Sequence, residues 1–191
     1  RVWLASVDEH IDIKQKIEEG FKWIGLEDLV GRDARVFIKP NLTFPSYLPG
    51  VTTSPEVIEG VIAALKERTS NITVGESNGG YHAFEAEEAL QKHGVYEIAA
   101  RYGAKVVNLS KDKHEVVKMR VGSKDVEVTL PSLLLHDVDV FITIPVPKIH
   151  AMTGVSLGLK NQWGCNPSTM RLREHSKFNE KIVVINKILN P

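Results

Sequence analysis

Along most of this chain, short apolar runs alternate with stretches whose apolar residues recur every three or four positions. That rhythm constrains the fold more than any other feature. Residues 2–7, 34–38, 72–74, 105–109 and 138–144 read as strands. Within residues 11–29, Ile13, Ile17, Phe21 and Ile24 share one helical face. Thr53-Ser54-Pro55-Glu56 supplies a hydroxyl cap, a first-turn proline and an early carboxylate, predicting a helix to about Arg68 that buries Val57, Val61, Ile62 and Leu65. Further helices are predicted over about 83–92, from there to Tyr102, over the glycine-interrupted run 154–159, and over 178–189. The run at 138–144 is apolar on both faces, the pattern of a central parallel strand. The rhythm breaks once, where residues 116–121 and 126–130 flank Gly122-Ser123-Lys124-Asp125 as a β-hairpin. Together these predict an α/β fold: a mainly parallel, doubly wound, Rossmann-like sheet with a β-hairpin insertion.

At 191 residues the chain is expected to form one domain, 1–191. It stops at Asn190-Pro191, where a further strand would follow the last helix, so truncation at the C-terminus is part of this expectation. With 24 basic against 24 acidic residues, it lacks the charge excess of a nucleic-acid binder. No apolar run approaches the ~20 residues of a membrane span. The first residues reach Asp8-Glu9 too soon for a signal peptide. One cysteine, Cys165, leaves no disulfide framework and no ligand set for an iron–sulfur cluster. The expected setting is the cytoplasm, with homo-oligomerisation left open.

In open parallel sheets, ligands bind beyond the carboxyl ends of the strands. Four polar clusters are predicted near such ends: Lys39 with Asn41; Glu76 with Ser77 and Asn78; Lys148 with His150; and Lys160 with Asn161. Lysine captures carboxylate or phosphate as a point charge, and asparagine orients a ligand through donor and acceptor together. Gly75, Gly79 and Gly80 would admit close backbone approach to an anion. Each lysine alone is also explained as a solvated charge. Their coincidence points to a small anionic molecule, with His150 as general acid/base and Glu76 as its partner or a second base.

Gly75-Glu76-Ser77-Asn78-Gly79 fits the pattern of a nucleophile elbow and would make Ser77 a hydrolase nucleophile. However, Gly79-Gly80-Tyr81-His82 delay the helix that such an elbow needs. Gly154-Val155-Ser156-Leu157-Gly158 fits the same pattern, far from its strand. His150, Glu174, His175 and Glu76 are metal-capable, but none has helical zinc spacing, and no metal is assigned. His10, His93, His114 and His136 read as surface or satisfied core residues. Cys165 reads as an inert thiol rather than a nucleophile. Arg171, Arg173 and Lys177 would either cover an anion or form a solvated face.

Lys39-Pro40-Asn41-Leu42, Thr52-Thr53-Ser54-Pro55, Gly75-Glu76-Ser77, Lys148-Ile149-His150, Gly154 and Lys160-Asn161-Gln162-Trp163-Gly164 resemble, in this order, the prokaryotic family catalogued as domain of unknown function 362. The resemblance runs from about Val36 to the final helix. Some members of that family carry a ferredoxin-like module with iron–sulfur cysteines, which this chain lacks. Members usually continue with another strand and an Asp-Gly/Gly-Pro loop. The family is also similar, distantly, to the N-terminal part of nickel-dependent lactate racemases, which implies hydroxy- or keto-acid chemistry by analogy only. The leading expectation is an enzyme or binder for a small carboxylate or phosphate metabolite, its cofactor unassigned. The alternative is a non-catalytic ligand sensor or a partner module for a redox protein, with the aromatic loop Phe44-Pro45-Ser46-Tyr47-Leu48-Pro49 as lid or docking surface.

Overall fold

The computed structural model describes residues 2–7, 11–150 and 153–191. Helix α1 (Ile13–Ile24) starts where the Asp12 carboxylate accepts the Lys14 N–H at 2.9 Å. It stops at Gly25, whose φ of 76° turns the chain directly into α2 (Leu26–Leu29). The single helix expected over 11–29 is therefore two. Pro55 sits in the first turn of α3 (Pro55–Lys66), and the Ser54 hydroxyl accepts the Val57 N–H at 3.4 Å, as the local signature requires. Helices α1 and α3 pack tightly, because a Cβ at Gly60 would lie 2.6 Å from Ile17 Cδ1.

Strands β1 (Val36–Pro40), β2 (Ile72–Glu76) and β3 (Lys105–Asn108) are followed by an inserted antiparallel hairpin, β4 (His114–Val121) and β5 (Lys124–Pro131), and then by β6 (Val140–Ile144). The hairpin turns on Gly122-Ser123, with Gly122 at φ +60°. β1, β2, β3 and β6 form one parallel sheet in the order β3-β2-β1-β6. β6 pairs with β1 from Val36↔Val140 to Pro40↔Ile144. At the strand entry, Arg35 holds Asp139 through Nε at 3.0 Å and Nη2 at 2.8 Å, and keeps that carboxyl down at about 2.

Alternation along β1 separates two cores. Val36 and Ile38 face α1, α3, α4 (Ala86–Lys92) and α5 (Val95–Tyr102), together with Ile58, Ile62, Leu65 and Leu90. Phe37 faces the opposite layer, built from Val126, Val128 and Leu130 of the hairpin and Val184, Ile185 and Leu189 of the last helix. Between β5 and β6 lies α6 (Ser132–His136). After β6 come β7 (Lys148–His150) and β8 (Gly154–Ser156), an antiparallel pair, then α7 (Gly158–Asn161) and α8 (Phe178–Leu189).

Three expectations are corrected here. Residues 2–7 form no strand: Trp3 and Ala5 are half-buried between exposed Val2 and Leu4, and the Trp3 ring lies over Gly20, where a Cβ would be 2.9 Å away. Their alternation reflects docking on α1, not pairing with the sheet. β6 is an edge strand among the described residues, not a central one; its apolar faces meet layers above and below, which says nothing about lateral neighbours. Residues 154–159 begin as strand β8 (Gly154–Ser156), with helix only from Gly158.

The chain steps outward from β1 to β2 and β3, then returns to the other side of β1 as β6. Loops leaving β1 and β6 therefore diverge, opening a crevice at this reversal.

Candidate functional site

Lys39, the penultimate residue of β1, and Glu76, the last of β2, are brought side by side by the parallel register. Their side chains are 1% and 6% exposed, and Lys39 Nζ lies 2.5 Å from Glu76 Oε2. Lys39 also donates to the Pro40 carbonyl at 2.7 Å. The Glu76 carboxylate further accepts the Leu42 N–H at 3.2 Å and the Ser77 N–H at 3.0 Å. A buried pair survives only when its remaining lone pairs and protons are satisfied in this way. Gly164 closes over it: a Cβ there would come within 3.1 Å of Glu76 Oε1 and 3.2 Å of Lys39 Nζ.

The strand exits are knitted together by Thr53, whose hydroxyl accepts the Asn41 N–H at 2.8 Å and donates to the Ile144 carbonyl at 2.7 Å. Asn161 does the same for α7. Its Nδ2 donates to the Lys39 carbonyl at 3.1 Å and lies 2.9 Å from Thr143 Oγ1. Asn41 Oδ1 accepts from Thr43 Oγ1 at 2.5 Å.

Around this frame lies a crevice of about 270 Å³. Lys39, Asn41, Glu76, Lys148, His150, Lys160 and Asn161 all line it, together with Thr43, Trp163, Gly164 and Arg171. Ser77 and Asn78 do not. Ser77 is fully buried and its hydroxyl donates to the Gly164 carbonyl, so it braces the segment covering the ion pair. Asn78 caps α4 instead, accepting the Ala86 N–H at 2.9 Å. Gly75 and Gly79 serve packing: Cβ atoms there would lie 2.8 Å from Phe37 and 2.6 Å from Phe84. The Gly79 N–H already donates to the Phe84 carbonyl at 2.8 Å.

Arg171 is the residue whose role the sequence left undecided. It is 8% exposed, and its Nη1 donates to the carbonyls of Asn78 at 2.8 Å and Ser168 at 3.0 Å. Arg173 and Lys177, by contrast, are exposed. The wall beside Arg171 is formed by Gly80, Ala83 and Phe84, which flank Tyr81 and His82, consecutive non-glycine residues at φ 53° and 56°. Tyr81 N–H donates to the Thr169 carbonyl at 2.7 Å, and His82 Nε2 lies 3.1 Å from Thr169 Oγ1.

Among the described residues, four cations thus share the crevice with one carboxylate, and that carboxylate is held by Lys39. Lys148 is braced by the Val51 carbonyl at 2.5 Å and by Thr43 Oγ1 at 3.4 Å. Burial, aided by Lys39, pulls its amine below the usual lysine range. Lys160 makes no hydrogen bond or ion pair among the described residues. Burial, reinforced by Lys148, Arg171 and Lys39, brings its amine down to about 8. Burial also lowers Arg171, partly offset by Glu76. Burial and mutual repulsion thus act together against the charged forms of Lys148 and Lys160.

Cys165 is fully buried and its thiol is pushed up to about 12, chiefly by burial, so it is inert. His93 is buried, with Nδ1 2.7 Å from the Ala89 carbonyl. His10 and the side chain of His175 lie outside the described residues. No group of three metal-capable side chains is found among the described residues.

The fold and crevice define an α/β protein with a cationic pocket at the strand-order reversal. The chain belongs to the family described as "Domain of unknown function (DUF362)", which it matches over residues 36–191. It is similar to the thylakoid-associated protein sll1697 of Synechocystis sp., with 26% identity over 177 residues, covering 87% of this chain and 52% of that protein. Its fold is similar to the crystal structure of a Thermotoga maritima protein determined by the Northeast Structural Genomics Consortium. That match has a TM-score of 0.54 and 18% identity, covering 88% of this chain and 48% of that one. The chain therefore spans about half the length of the relatives it matches. Among the described residues, no helix is long and apolar enough to cross a membrane.

Proposed function

We propose that the crevice binds a small anionic metabolite, a carboxylate or phosphate, and that His150 acts on it as general acid/base. One observation carries the reading: Lys148, Lys160 and Arg171 line a single hollow in which the one carboxylate among the described residues is already paired with Lys39. The excess positive charge sits where water is partly excluded, and there an anion gains far more than at an open surface. Asn41 and Asn161 orient the ligand at the rim. Lys39 and Glu76 act together as a charged floor that fixes the β1 and β2 exits. The experiment is a thermal-shift titration with phosphate and malonate against chloride at equal ionic strength. Saturable stabilisation, lost in Lys148→Ala with the far-UV spectrum unchanged, is expected; stabilisation indistinguishable from chloride would refute it.

A second reading is a non-catalytic sensor of the same anion. It is favoured by the full occupancy of the Glu76 carboxylate, which accepts from Lys39, Leu42 and Ser77 and is therefore not poised as a second base. Turnover of a stabilising ligand separates the two. The exposed Phe44, Tyr47 and Leu48 of the loop beyond Thr43 are not part of the crevice lining.

A further inference from the structure

We propose that Lys160 is an imine-forming nucleophile, and that the ligand of the crevice is a carbonyl compound carrying an anionic group. This rests on the anion-binding reading and adds a covalent step to it.

Four cations line the hollow, but they are not equivalent. The Lys39 ammonium is bound to Glu76 and the Pro40 carbonyl. Lys148 is tied to the Val51 carbonyl and Thr43. Arg171 is anchored on backbone carbonyls and cannot lose a proton in any useful range. Lys160 alone has no hydrogen-bond or ion-pair partner among the described residues, yet it is half-buried and its backbone is positioned. Asn161, its neighbour in α7, is pinned to β1 and β6 through Lys39 and Thr143.

An amine brought to about 8 by burial and three neighbouring cations is a substantial nucleophile near neutral pH. At pH 8 its neutral fraction is roughly a hundredfold above that of an ordinary lysine. An anionic group held by Lys148 and Arg171 would bring an adjacent carbonyl carbon within reach of Lys160. The nitrogen lone pair attacks that carbon, the C–N bond forms and the C=O π pair moves to oxygen, which is protonated. The resulting carbinolamine then expels water. Overall, one ammonium and one carbonyl give one iminium and one water, with no oxidant or reductant. His150, in the same crevice, carries the proton from nitrogen to oxygen.

The test incubates the protein with pyruvate or, separately, dihydroxyacetone phosphate at pH 8, adds cyanoborohydride, and maps reduced adducts by peptide mass spectrometry. Phosphate binding is followed in parallel by thermal shift. The expected result is one dominant adduct on Lys160, at least tenfold above any other lysine. Excess phosphate should suppress it. Lys160→Arg should abolish it with the far-UV spectrum unchanged. The arm that labels distinguishes a carboxylate from a phosphate handle. If phosphate stabilises the protein but neither carbonyl compound labels Lys160 above the other lysines, imine chemistry is overturned and the anion site stands. If no anion stabilises the protein and no adduct forms, both readings fall.

Discussion

Replacing Lys160 by methionine removes a charge that folding disfavours while keeping most of the side chain's apolar length. Folding brings this amine from its ordinary 10.5 to about 8, which penalises the charged form by ~3 kcal/mol at about 1.4 kcal/mol per tenfold in acidity. Partial solvent access reduces this to ~1–3 kcal/mol. Below about pH 8 the wild-type penalty is fully present. Between about 8 and 10.5 the unfolded chain binds more protons than the folded one, so wild-type stability rises with pH and the penalty disappears. Lys160→Met is therefore expected to melt roughly 2–12 °C higher than wild type at pH 7, with the gap closing towards pH 10.5. Saturating phosphate should narrow the gap at pH 7, because a bound anion offsets the penalty on the wild-type charge. Differential scanning calorimetry from pH 6 to 10.5 checks this. A variant that melts lower than wild type at pH 7, or a gap independent of pH, would refute the reasoning.

Glu76→Gln leaves the buried Lys39 ammonium without its counter-charge and is expected to cost ~3–5 kcal/mol in urea denaturation. A Lys39→Met, Glu76→Leu double variant should recover much of that loss; if it does not, the pair contributes more than charge compensation. Ser77→Ala should cost ~1–2 kcal/mol by releasing the Gly164 carbonyl, yet leave the phosphate-induced melting shift in place; loss of that shift at full stability would make Ser77 a ligand. Cys165 should resist a thiol reagent at pH 8 until denaturant is added. Rapid labelling of native protein would contradict its burial.

Much of the sheet was legible because each strand exit carries its own punctuation. Val36-Phe37-Ile38 into Lys39-Pro40, and Thr53-Ser54-Pro55 into a helix, are local signals, and the structure follows both. Lateral order was not legible. The apolar run of β6 reports the layers above and below it and is silent on its edge position. Residues 2–7 show the same limit, since one-sided docking on a helix gives the alternation of a strand. In the crevice, lysines at strand exits were visible as charges. What each one does depends on partners far along the chain: Glu76 for Lys39, Val51 for Lys148, and, among the described residues, none for the Lys160 amine. Arg171 follows no strand, so nothing in its neighbourhood distinguishes it from exposed Arg173. Ser77 and Asn78 look like ligand groups in sequence, yet the fold turns them toward the Gly164 carbonyl and the start of α4.

Isothermal titration of phosphate into the wild-type protein and into Lys148→Ala, at fixed ionic strength, tests the central claim most directly. The account predicts one saturable site per chain in the wild type and at least a tenfold weaker one in the variant. No heat beyond dilution in the wild type, or equal affinity in both proteins, would contradict it.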